Sequence, residues 1–148
     1  MNNEAVLQTL AALVRPRLGP DNPLGDALFA TVAEEKPNTA LHTYAVLQTS
    51  KSGAQELVPG NYTYRIPCRL FAVFFPPEDA DYTPENIEDW MQELGLALVA
   101  ACAVLLETPG GYENFYPLDA TVTGPIHWAP AATGGYEGTV DFTLVVQF

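Results

Sequence analysis

The chain has 148 residues, with 18 acidic side chains against 6 basic ones and a formal net charge of −12. A surface of that sign repels a phosphate backbone, which excludes tight nucleic-acid binding without excluding proximity to nucleic acid. At 48% hydrophobic and 16% charged, the composition excludes intrinsic disorder, and the length suits one domain over residues 1–148 built on one core.

The N-terminal Met1-Asn2-Asn3-Glu4 lacks the basic region of a secretory signal, so synthesis in the cytoplasm is expected. Glu4 to Arg15 places Val6, Leu10, Leu13 and Val14 at helical spacing, and Pro16 forbids continuation, predicting a short amphipathic helix. The Gly19 to Gly25 stretch, rich in Pro, Gly and Asp, reads as a loop, and Ala27 to Val32 as a strand. Ala40 to Thr49 is rich in β-branched and aromatic residues and predicts a strand closed by a polar turn at Ser50-Lys51-Ser52-Gly53.

Tyr62 to Phe75 carries the strongest strand signal, with Arg65 and Arg69 on one face and Ile66, Cys68 and Leu70 on the other. Pro67 interrupts it, which implies an edge position, a bulge or a join between two pieces. Pro76-Pro77 ends the strand, and an acidic linker leads to Thr83 as N-cap and Pro84 as first helical residue. The helix is expected over about 84–107, with Ile87, Trp90, Met91, Leu94, Leu98, Cys102 and Leu105 forming one apolar stripe. Past Leu98 it is apolar on every side, which predicts burial of a second face against another element or another subunit.

Thr108-Pro109-Gly110-Gly111 stops the helix, and a strand is expected around Leu118 to Ile126. In the last stretch, Val140, Phe142, Leu144, Val146 and Phe148 alternate with Thr139, Asp141, Thr143, Val145 and Gln147, the pattern of a half-buried antiparallel strand. The expected fold is therefore α+β: an antiparallel sheet of four to five strands against one long helix and a short N-terminal helix.

Catalytic signatures are weak throughout. Ser50 and Ser52, the only serines, lie in the polar turn without a nucleophile elbow. His42 and His127 belong to no zinc-ligand spacing, and Cys68 and Cys102 fall on apolar faces as reduced core thiols. The carboxylate cluster Glu78, Asp79, Asp81, Glu85, Glu88, Asp89 and Glu93 fails as a calcium loop, because Pro84 occupies the glycine position and Trp90 the bidentate one. No glycine-rich phosphate loop is present, so no catalytic, cofactor-binding or metal-binding residue is assigned and no enzymatic activity is expected. The aromatics Tyr112, Phe115, Tyr116, Trp128 and Tyr136 are candidates for loop packing or for an interface. The run from Leu94 to Leu106, bounded by Glu93 and Glu107, is too short to cross a bilayer.

The order of elements, with the helix Glu4 to Arg15, the strands Ala40 to Thr49 and Arg65 to Phe75, the long helix from Pro84 and the closing strand Gly138 to Phe148, resembles the tail terminator or tail completion proteins of long-tailed bacteriophages and related prophages. That resemblance implies a structural, head–tail joining subunit, assembled as a hexameric ring that caps the tail tube. Its implied partners are further copies of itself, the tail tube and head-completion proteins, with DNA passing through and no membrane. Its implied location is the host cytoplasm during assembly, then the virion tail or neck. The alternative class is a small-molecule-binding or enzymatic α+β domain with a pocket near Tyr112 to Trp128.

Overall fold

The computed structural model describes residues 3–31, 43–49, 56–58, 63–75, 83–130 and 135–148, with 56–58 described by backbone alone. The turn Ser50 to Gly53, His42 and the linker carboxylates Glu78, Asp79 and Asp81 lie outside the described residues.

Chain order is α1 (Asn3–Val14), a 3-10 turn at Arg15–Arg17, a second at Pro23–Asp26, β1 (Leu28–Thr31), β2 (Tyr44–Thr49), β3 (Glu56–Val58), β4 (Thr63–Phe74), α2 (Pro84–Glu107), β5 (Tyr116–Val122), β6 (His127–Pro130) and β7 (Tyr136–Gln147). The strands form one seven-stranded mixed sheet of order β1-β2-β4-β7-β5, an α+β arrangement. β3 pairs with β4 beyond the end of β2, and β6 pairs with β7 beyond the end of β5, so the sheet is no wider than its five-strand path. Neither β3 nor β6 was expected, because each is short and lacks an alternating apolar run; β4 and β7 define both as the outer lanes of two long neighbours.

Every pairing is antiparallel except β1 with β2, which run parallel from Leu28↔Ala45 to Thr31↔Gln48. Residues 32–43 separate the two strands, enough chain for the dozen or so residues a parallel crossover needs.

Pro67 lies inside the continuous central strand β4, opposite Thr143 of β7. On its other flank β2 ends at Thr49↔Cys68 and β3 begins at Glu56↔Arg65. Among the described residues no partner for Pro67 falls on that flank, and β4 runs through Pro67 without a break in its pairing with β7.

Alternation turns Ile66, Cys68, Leu70, Ala72 and Phe74 of β4, with Val140, Phe142, Leu144 and Val146 of β7, toward α1 and α2. α1 contributes Val6, Leu7, Leu10, Ala11 and Val14 to this core, and α2 contributes Ile87, Met91, Leu94, Leu98 and Leu105. Each such aliphatic side chain, fully withdrawn from water, stabilises the fold by about 1.5–3 kcal/mol before entropy is counted. The opposite sheet face carries a smaller apolar group of Tyr44, Val46, Phe29, Phe71 and Val73 around Ala27.

Candidate functional surface

The long helix begins where the sequence places it. Thr83 is the N-cap, Pro84 opens the first turn, and a reciprocal capping box joins Thr83 to Asn86, whose N–H donates to Thr83 Oγ1 at 3.2 Å. From there Ile87, Met91, Leu94, Leu98, Cys102 and Leu105 point into the core, and Trp90 stacks on Phe74 with ring centroids 5.6 Å apart.

Within the single chain, no described element buries the second face of the helix end. Leu96 is 71% exposed, Val99 50% and Leu106 39%, and Ala100 and Ala103 are exposed with them. The sheet and α1 cover one side of α2, and among the described residues no element covers the other. The positions Gln92, Leu96, Val99, Ala103 and Leu106 step by four, three, four and three residues, the spacing of a coiled-coil seam. A seam this short does not hold two helices together unaided, since coiled coils need at least three to four heptads.

Grooves flank the ridge. One, about 630 Å³, lies between α2 and the β5–β6 connection, with Gln92, Leu96 and Val99 on one wall and Val122, Ile126 and Trp128 on the other. Gly95 makes this approach possible: a Cβ there would meet Ile126 Cγ2 at 3.2 Å. The second groove, about 430 Å³, runs along Arg17, Asp89, Glu93, Leu96, Ala97 and Ala100. Leu96 stands between the two.

The predicted site residues separate. Cys68 and Cys102 are buried free thiols; burial, with Cys102 nearby, pushes the Cys68 thiol far up, and burial pushes Cys102 to about 11. Cys68 Sγ donates to the Ile66 carbonyl at 3.3 Å. Thiols held protonated in this way are poor nucleophiles at neutral pH. Glu85, Glu88 and Asp89 are exposed on the first turns of α2, where the helix dipole favours negative charge. Among the described residues no three His, Cys, Asp or Glu side chains are arranged to hold a metal ion.

Glu93 has a structural task that sequence reasoning missed. Its Oε1 accepts from the Gly19 N–H and from Asn22 Nδ2, the latter at 3.2 Å, while Asn22 Oδ1 accepts from the Leu24 N–H at 3.0 Å. This clamps the Gly19 to Gly25 loop onto α2. The Asn22-Pro23 pair is the one local signal, since Asn caps and Pro opens a short helical turn.

The aromatics split into two pairs. Tyr112 stacks on Phe115 at 5.0 Å, its hydroxyl 2.8 Å from Thr108 Oγ1, and Trp128 meets Tyr136 at 5.3 Å and 60°. Tyr116 is exposed, beside Gly111, where φ is +73° and a Cβ would come within 2.7 Å of Tyr116 Cδ2, leaving no room for a side chain. His127 is exposed on β6 at the edge of the larger groove.

α2 is long and apolar enough to cross a membrane by length and composition. Its first half nevertheless carries Glu85, Glu88, Asp89 and Glu93, and its buried stripe packs on the sheet. No protein-family model matches the chain, and no curated protein matches it.

Proposed function

We propose that the chain is a structural assembly subunit of the tail terminator or tail completion type, which associates with further copies into a ring that caps a tail tube. The observation that carries this reading is the exposed ridge of Leu96, Val99, Ala100, Ala103 and Leu106. Contiguous apolar surface rimmed by polar residues marks an interaction site, and here Gln92 and Glu107 close its ends. The small Ala100 and Ala103 admit a close neighbour, and the flanking grooves receive what a short seam alone would not hold. The charge of −12 suits a ring through which DNA slides without adhering.

The test is mass measurement by light scattering with negative-stain imaging, alone and with candidate tail tubes. Leu96→Glu together with Val99→Glu is expected to leave the chain folded and abolish rings, because a charge desolvated in an apolar contact is strongly disfavoured. A wild-type chain that stays monomeric at high concentration, and also in the presence of tail tubes, overturns the reading.

One observation favours a second reading, a small-molecule-binding domain. The larger groove has the volume of a ligand pocket, with Glu88, Gln92 and His127 as polar groups at its margin. Saturable ligand binding that Val99→Glu abolishes in a monomer supports this reading over the first.

A further inference from the structure

The outer edge of β1 offers a separate surface. Among the described residues β1 is the terminal strand of the sheet, paired with β2 alone. The Ala45 N–H donates to the Ala27 carbonyl at 2.9 Å, which sets the alternation: Ala27, Phe29 and Thr31 turn their backbone groups to β2, and Leu28 and Ala30 turn theirs outward. Arg15 occupies part of that edge, its Nη2 donating to the Leu28 carbonyl at 2.8 Å. Beside the edge is a slot of about 560 Å³ lined by Gln8, Ala11 and Arg15 from the N-terminal segment and by Leu28 to Thr31 from β1.

We propose that this slot takes an extended peptide segment of another protein, added as a strand to β1 and carrying an Asp or Glu whose carboxylate pairs with Arg15. An exposed edge presents unpaired main-chain donors and acceptors to any extended chain, and Ala30 supplies both. Specificity comes from the arginine. Among the described residues no carboxylate pairs with Arg15, whereas Arg69 is held by Asp141 at 3.0 Å. A guanidinium that lends one N–H to Leu28 keeps others for a carboxylate in bidentate geometry. Screening over about 8 Å at physiological salt makes Arg15, and not the net charge, the nearest field an incoming side chain meets. A second copy is the other occupant that the test below distinguishes.

The probe is the N-acetylated, C-amidated peptide Thr-Val-Glu-Val-Thr-Gln, titrated into the full chain while backbone amide NMR signals are followed. Shifts centred on the Leu28 and Ala30 amides are expected, with a peptide bearing Lys in place of Glu at least about tenfold weaker. Arg15→Glu is expected to reverse that preference. Ala30→Pro, which removes the edge donor at a position where proline is tolerated, is expected to abolish the shift of the Leu28 amide; should it not fold, the Arg15→Glu reversal decides alone. Equal affinity for the two peptides, shifts confined to the α2 ridge, or no shift at millimolar peptide overturns the proposal. Leu28 and Ala30 amides that become protected with protein concentration alone also overturn it, since a second copy then fills the edge.

Discussion

Glu93 shows how one side chain can belong to the fold although the sequence lists it among solvated carboxylates. It accepts two hydrogen bonds from a loop more than seventy residues away in the chain, from Gly19 and Asn22. Glu93→Ala is expected to lower unfolding free energy by about 1–2 kcal/mol, the range for a charge-assisted bond in a half-buried setting, read by urea denaturation. Glu85→Ala, on an exposed first turn, should change it by no more than about 0.5 kcal/mol.

Cys102 gives a pH dependence whose sign follows from burial. Its folded pKa of about 11 lies above the ordinary thiol value of 9.0, so the folded state holds its proton more tightly than the unfolded state. That contribution is complete below about pH 9 and is lost as pH rises toward 11. A shift of two units corresponds to about 3 kcal/mol. Thermal melts between pH 8 and 11 should therefore show a steep fall in Tm that is shallower in Cys102→Ala. Cys68 and Tyr44 act in the same direction, Tyr44 through burial and then through Glu137.

At the scale of elements, α2 has two apolar faces with different roles. Leu98 is fully buried under the sheet and Val99 is half exposed on the ridge, although the two are adjacent. Leu98→Ala should cost about 2–5 kcal/mol in stability, with a cavity under the sheet. Val99→Glu should cost no more than about 0.5 kcal/mol and act only on association, measured by light scattering beside a thermal melt. A large loss of stability from Val99→Glu would mean that the ridge is part of the monomer core. At the start of the same helix, Thr83→Ala removes the acceptor for the Asn86 N–H and should cost about 1 kcal/mol.

Strand β4 makes the matching point for the sheet. The alternation of Ile66, Cys68 and Leu70 against Arg65 and Arg69 was legible, since a period of two admits one assignment of faces. That Pro67 sits inside a continuous strand was not, because the strand is continuous through its pairing with β7, which is remote in sequence.

For the whole molecule, the charge of −12 makes a prediction that any assembly must respect. Duplex DNA should not be retained at physiological salt, and lowering the salt should not produce the steep rise in affinity typical of phosphate-binding proteins. Retardation of DNA in a gel-shift assay that strengthens as salt falls would contradict the idea of a passage without adhesion. Rings, if they form, should therefore be unaffected by added DNA.

The class of fold, the limits of α2 from Thr83-Pro84 to Glu107, the faces of β4 and β7 and the acidic surface are all legible in the amino-acid sequence. Each follows from a local rule: capping chemistry, the helical or strand period, or a sum of charges. Packing between distant segments set the parallel entry of β1, the place of Pro67 inside β4, the clamp on Glu93 and which apolar face of α2 stays bare. An all-apolar helix end states that both faces favour leaving water, but only the layer packed against it selects the one that does. Here a single sheet covers Leu98 and Leu105 and leaves Leu96 to whatever the chain meets next.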